Sequence, residues 1–183
     1  SNRLTFKNET FRDRRLTDRV EGGATRRKEG GLALDIRRPK KTSAIDVRDV
    51  LFPVAHSIAL MQAASRGETV FSAPLYDGGE KGEKLHNTTA IIGALLKDEA
   101  RPVLPEADGA DVLADLGAWP VSLSYFDAAK GEDADNVPDY ELGFLMYENG
   151  VSRKLTIDYG TFAITGRLSK LEMLDVPACA NSQ

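Results

Sequence analysis

Tyr140-Glu-Leu-Gly-Phe-Leu-Met-Tyr147, Glu148-Asn149-Gly150 and Val151-Ser-Arg-Lys-Leu-Thr-Ile-Asp-Tyr159 follow one another without interruption. Leu142, Phe144 and Met146 recur with a period of two, and so do Leu155, Ile157 and Tyr159. Side chains of an extended chain alternate between faces, so each run lays one apolar face on a core and turns the other to water. Asn and Gly between the runs both tolerate positive φ, which primed hairpin turns require. The stretch therefore predicts two antiparallel strands, 140–147 and 152–159, joined by a two-residue primed turn.

The same period runs outward in both directions. Leu4 and Phe6, then Leu32, Leu34 and Ile36, then Val121, Leu123 and Tyr125, then Phe162 and Ile164 all alternate with polar or small residues. Gly22-Gly23 and Gly30-Gly31 read as turns or bulges between the first strands, and Asp77-Gly78-Gly79 interrupts two further runs. Gly160 either separates two strands or bends one long strand. A helix is predicted from Pro53, which suits a first turn because its missing N–H has no partner there. Val54, Ile58 and Met61 form its expected buried stripe, and Arg66-Gly67 its stop. A second, shorter helix is expected over 110–116, with Val112, Leu113 and Leu116 inward, and an exposed loop over 130–136. The fold class is all-β, mainly antiparallel: a strongly curved sheet with one main helix against its apolar face, and residues 1–183 form a single domain.

Composition bounds the function. Apolar residues make up 42% of the chain, enough for a folded core. No run is long and apolar enough to span a bilayer as a helix. Residues 1–50 carry 14 Lys and Arg against 8 Asp and Glu, a net of +6, whereas 51–183 carry 10 against 20, a net of −10. A basic segment can face an anionic surface, but Asp13 and Asp18 interrupt the arginines around them, and the acids of the second part can complement it. Stacking aromatics are sparse among these bases, so a nucleic-acid partner is not expected.

Chemistry-bearing patterns are thin. Ser57, His56 and His86 stand in no Gly-x-Ser-x-Gly setting. Glu132, Asp133, Asp135 and Asp139 lack calcium-loop spacing, and no Lys-Ser/Thr ends the 78–84 glycine stretch as a phosphate loop would. Cys179, the single cysteine, has no His or Cys at metal-ligand spacing. No catalytic residue, metal or cofactor is expected. Trp119, Tyr125, Phe126, Phe144 and Tyr147 are either sheet core or, where exposed, the lining of a groove for an apolar ligand or partner; Val54, Ile58 and Met61 join the same core or groove set.

Three segments in order carry a family likeness: 49–57 (Asp-Val-Leu-Phe-Pro-Val-Ala-His-Ser), 119–126 (Trp-Pro-Val-Ser-Leu-Ser-Tyr-Phe), and 140–160 continuing to Pro177-Ala178-Cys179. Together they resemble the EipB family of periplasmic cell-envelope integrity proteins of alphaproteobacteria, from about Leu4 to Cys179. The resemblance implies a curved β-spiral or half-barrel similar to the carriers LolA and LolB, residence in the periplasm, and no catalytic activity. It also implies that Cys179 pairs with a cysteine in an N-terminal segment that this chain does not contain, so the chain reads as a C-terminal fragment. The expected function is support of the envelope by binding a protein or an envelope component, as a monomer, with non-native association possible at unfilled sheet edges. A lipid or lipoprotein carrier is the alternative, and a glycan hydrolase the third reading.

Overall fold

A computed structural model describes residues 2–97, 108–130 and 137–172. Among them, ten strands fall into two antiparallel sheets. The first holds β1 (Arg3–Arg12), β2 (Arg15–Arg26), β3 (Leu32–Arg38) and β4 (Lys40–Ile45) in sequence order. The second holds β5 (Val70–Leu75), β6 (His86–Ile92), β7 (Ala118–Asp127), β8 (Tyr140–Tyr147), β9 (Ser152–Asp158) and β10 (Ala163–Arg167), again as an unbroken meander. Every neighbouring pair is antiparallel; the short turns β1–β2, β2–β3, β3–β4, β8–β9 and β9–β10 allow no other arrangement. Each sheet is open, with β1, β4, β5 and β10 at the edges.

The Asn149-Gly150 hairpin has the predicted strands but a different turn. Tyr147 N–H reaches Val151 O at 2.9 Å and Gly150 N–H reaches Tyr147 O at 2.7 Å, enclosing three loop residues. Only Gly150 has positive φ (80°), the three-residue arrangement with a left-handed glycine rather than a primed two-residue turn. Two side chains hold it: Asn149 Oδ1 accepts from Val151 N–H (3.1 Å), and Glu148 Oε2 from Gly117 N–H (2.7 Å). A two-residue turn with positive φ at both positions occurs instead between β1 and β2, at Asp13 (51°) and Arg14 (63°). Gly22 lies at a register shift inside β2, and Gly30 and Gly31 turn the chain into β3. Gly160 separates β9 from β10 as a turn with φ 80°.

The main helix, α1 (Pro53–Ser65), starts and stops as predicted. Gly67 takes φ 79°, and the N–H groups of Gly67 and Glu68 close onto Ala64 O and Ala63 O. The buried stripe, however, is His56, Leu60, Ala63 and Ala64. Val54 is 74% exposed and Ile58 47%, so the expected stripe of Val54, Ile58 and Met61 is corrected: only Met61 is half-buried. The physical reason is proximity. Ala63 and Ala64 present no bulk, so the helix backbone approaches the sheet on their side with Leu60 and His56 beside them, and Val54 and Ile58 are left facing outward.

Three cores result. Leu60, Ala63 and Ala64 pack on the inward residues of the second sheet: Leu75, Ala90, Ile92, Trp119, Val121, Leu123, Tyr125 and Met146. A second core lies under the first sheet, where Phe6, Ala24, Leu32, Leu34 and Ile36 meet Val50, Phe52 and Tyr76. Leu51 joins the two parts by pairing with Leu75 through Pro74 O (2.8 Å) and Tyr76 N–H (3.0 Å). The one-turn helix α2 (Glu80–Glu83) adds a strap, since Glu83 accepts from Lys41 (2.8 Å) and Ser43 (3.0 Å) of β4. The third core holds Ala110, Leu113, Ala118 and Tyr147. The expected short helix is there a 3-10 turn over Ala110–Leu113; Leu113 is buried and Leu116 half-buried, but Val112 is 50% exposed.

Candidate functional site

The second sheet has one apolar face, and α1 covers only part of it. Cross-strand register runs Phe71, Ala90, Leu123, Leu142, Ile157 and Ile164 across all six strands. From β5 to β7 this row is mostly buried beneath the helix. Leu142, Phe144 and Ile157 are half-buried, and Leu155 (37%), Tyr159 (41%), Phe162 (57%) and Ile164 (49%) are exposed. Strand parity places Leu155 and Ile164 on the same face as the core, and Tyr159 and Phe162 flank the turn that joins β9 to β10 beside them, so the strip over β8–β10 continues the core face and is left open. A contiguous open apolar face, unlike scattered exposed leucines, is a candidate binding surface.

An aromatic row borders this strip. Tyr125 stacks on Tyr140 (4.3 Å between centroids), Tyr140 meets Tyr159 (5.7 Å), and Tyr159 stacks on Phe162 (4.9 Å). His86 is buried with its ring edge-on to Tyr125 and Tyr140. Burial pushes the Tyr125 hydroxyl up to about 12, with Asp77 adding to it, and Tyr140 is raised by the same cause, so both stay neutral donors. Beside them Asp139 pairs with Lys84 (2.8 Å) and Lys130 (3.6 Å). Burial alone would raise the Asp139 carboxyl, but Lys84, Lys130 and His86 together hold it below the usual range. His86 Nδ1 is 3.9 Å from Asp139 Oδ2, too far for a hydrogen bond.

The predicted residues separate cleanly. Trp119 and Tyr125 are buried core, Phe144 is half-buried against that core at the start of the open strip, and Met61 sits over the β8–β9 turn, where a Cβ on Gly150 would lie 3.3 Å from its sulfur. His56 and Ser57 do not form a catalytic pair. His56 is buried and its Nε2 lies 2.7 Å from Thr88 Oγ1, whereas Ser57 is exposed and donates to Pro53 O (3.0 Å). Among the described residues no group of three or more His, Cys, Asp or Glu could hold a metal ion. Cys179 and the acids Glu132, Asp133 and Asp135 lie outside the described residues, as does most of the expected 130–136 loop.

The EipB-like family model matches residues 1–175. This chain belongs to the EipB-like family. Within it, the cell envelope integrity protein EipB of Brucella abortus (strain 2308) is 32% identical over 173 residues, which are 93% of this chain and 58% of EipB. The chain thus spans little more than half the length of that relative. A solved Brucella abortus structure, described as a beta-barrel-like protein of a domain of unknown function, superposes with a TM-score of 0.78 at 28% identity. It is covered over 68% of its length by 95% of this chain. The EipB-like chain is therefore mainly antiparallel β with one main helix, and homologous to a cell envelope protein. Sequence reasoning placed Phe162, Ile164, Leu155 and Tyr159 on an apolar face but assigned that face to the core. Nothing in the alternation tells how far across the sheet the helix reaches.

Proposed function

We propose that this chain is a non-enzymatic periplasmic protein that supports envelope integrity by docking a partner protein on the open face of β8–β10. The observation that carries the docking half is the exposure of Leu155 and Ile164 on the same face as the helix-covered core, with Tyr159 and Phe162 exposed beside them. Homology to a cell envelope integrity protein supports the envelope half. A protein partner fits better than a small substrate, because the strip is open on its outer side and carries no paired nucleophile and base. The barrel-like description of the solved relative supports reading the two sheets as turns of one curved β-spiral of the LolA and LolB kind.

The carrier reading has one observation in its favour. Leu142 and Phe144 lead without a polar break from the exposed strip to buried Val121 and Leu123, a path an acyl chain can follow. A photoreactive residue at position 162, irradiated in cells, separates the two. The proposal expects a protein adduct that is missing when the reactive residue replaces Ile91, exposed on the opposite face. A lipid adduct at position 162 would favour the carrier, and equal labelling at both positions would contradict both.

A further inference from the structure

β1 and β2 outrun their sheet. β3 pairs with β2 only from Glu21 onward, so Arg15–Val20 has β1 as its single neighbour. The last core residues on this ribbon are Phe6 and Val20, and residues 7–18 are all exposed. Six residues of strand rise about 20 Å, so a two-stranded finger of that length projects from the body. Two-stranded ribbons gain little from their own packing, and a protruding one is ordinarily kept polar. This finger is not. Phe11 is 61% exposed and Leu16 50%, and the two are cross-strand partners on one face, next to the turn.

Its charges are arranged in two zones. In the shaft, Lys7 pairs with Glu9 (2.8 Å) and Arg19 with Glu21 (2.8 Å), so the carboxylates are answered locally. Around the turn, Arg12, Arg14 and Arg15 have no ion-pair partner among the described residues. Asp13 and Arg14 take φ of 51° and 63°, which reverses the chain in two residues and brings Arg12 and Arg15 opposite each other. The tip is thus a small apolar point beside three guanidinium groups without ion-pair partners, with Asp13 as the one carboxylate of the turn, a net charge of +2 over residues 12–15.

We infer that this finger docks on an anionic phospholipid bilayer, with Phe11 and Leu16 entering the headgroup–acyl boundary and Arg12, Arg14 and Arg15 binding lipid phosphates. The chemistry matches at both levels. Aromatic and leucyl side chains gain free energy at the interfacial depth, and arginines keep their heads among phosphates while their stems stay apolar. Each cation near an anionic surface contributes the equivalent of about fivefold in partitioning. A finger of about 20 Å would hold the body off the membrane and leave the β8–β10 strip, on the other sheet, clear. The inference is independent of what occupies that strip.

The test is co-sedimentation of the full chain with phosphatidylcholine vesicles prepared with and without phosphatidylglycerol. Binding is expected only with phosphatidylglycerol. F11S/L16S should weaken it by more than about tenfold, since two apolar insertions are lost. R12Q/R14Q/R15Q should abolish the preference for anionic lipid. Both variants lie outside all three cores, and an unchanged melting temperature confirms that they fold. F11W provides a direct reading, because the sole native tryptophan, Trp119, is buried: its emission should shift to the blue on anionic vesicles. Absence of vesicle binding, or binding that F11S/L16S leaves intact, overturns the inference; the second result would mean surface adsorption without insertion, as for any basic protein.

Discussion

Gly22 shows how one atom can decide whether two strands meet. A Cβ there would lie 2.7 Å from Asp35 O and 3.0 Å from Phe6 Cζ, and the first of these is backbone that cannot turn aside. Gly22→Ala is expected to cost about 1–3 kcal/mol in reversible urea denaturation, the usual range for overpacking. His56 makes a second residue-scale prediction. Thr88 Oγ–H donates to Ala73 O (2.8 Å), so its oxygen is left to accept, and neutral His56 donates from Nε2. Burial lowers the His56 pKa below its ordinary 6.5, so the unfolded chain binds the proton more readily. This contribution is complete above pH 6.5 and is lost as pH falls below it toward the folded pKa. His56→Gln keeps a donor without a titrating charge, and its melting temperature should fall less between pH 7 and 5 than that of the wild type. Neither role was legible from the residues themselves. Gly22 reads as a turn or bulge and does sit at a register shift, but its close approach to Asp35 and Phe6 is not written locally. A histidine in a helix reads as a surface or boundary residue, and only the partner across the fold reveals its contact.

Elements were read better at their ends than on their faces. The strands around Asn149-Gly150 and the start and stop of α1 follow from local chemistry: alternation, a first-turn proline and a left-handed glycine. The face of α1 does not, because Val54, Ala55, Ile58, Ala59, Leu60, Met61, Ala63 and Ala64 surround the helix with apolar choices. Large residues attract a hydropathy reading, yet Ala63 and Ala64, nearly inaccessible at 0% and 3%, are what allow close approach. Leu60→Ala is therefore expected to cost about 2–5 kcal/mol, and Ile58→Ala about 0.5 kcal/mol or less, in parallel denaturation series. Equal losses would return the expected stripe to the core. The hairpin turn teaches the same lesson at smaller scale. Asn-Gly favours a primed turn in isolation, but Glu148 is held by Gly117 N–H on a neighbouring loop, and the three-residue form satisfies it.

At the scale of the whole molecule, the proposed docking depends on how far α1 extends over the six-stranded sheet. The helix fills the face above β5–β7 and leaves β9 and β10 open, which separates a packed body from an exposed apolar margin. Alternation along Leu155-Thr-Ile-Asp-Tyr159 and Phe162-Ala-Ile164 was visible from the start, and it predicted an apolar face; coverage is a property of three-dimensional packing and was not. The family relation supplies the envelope context, and the proposed docking is assigned to this margin. The most direct measurement is complementation with Phe162→Ser/Ile164→Ser in cells lacking their own copy, challenged with a bile-salt detergent. Ile164 is exposed on the edge strand β10 and Phe162 in the turn that leads into it, so the variant should accumulate and melt like the wild type. The wild-type gene should restore resistance while the double variant leaves the cells as sensitive as the deletion. Full resistance from a normally accumulating double variant would contradict the account, because the open face would then have no part in holding the envelope together.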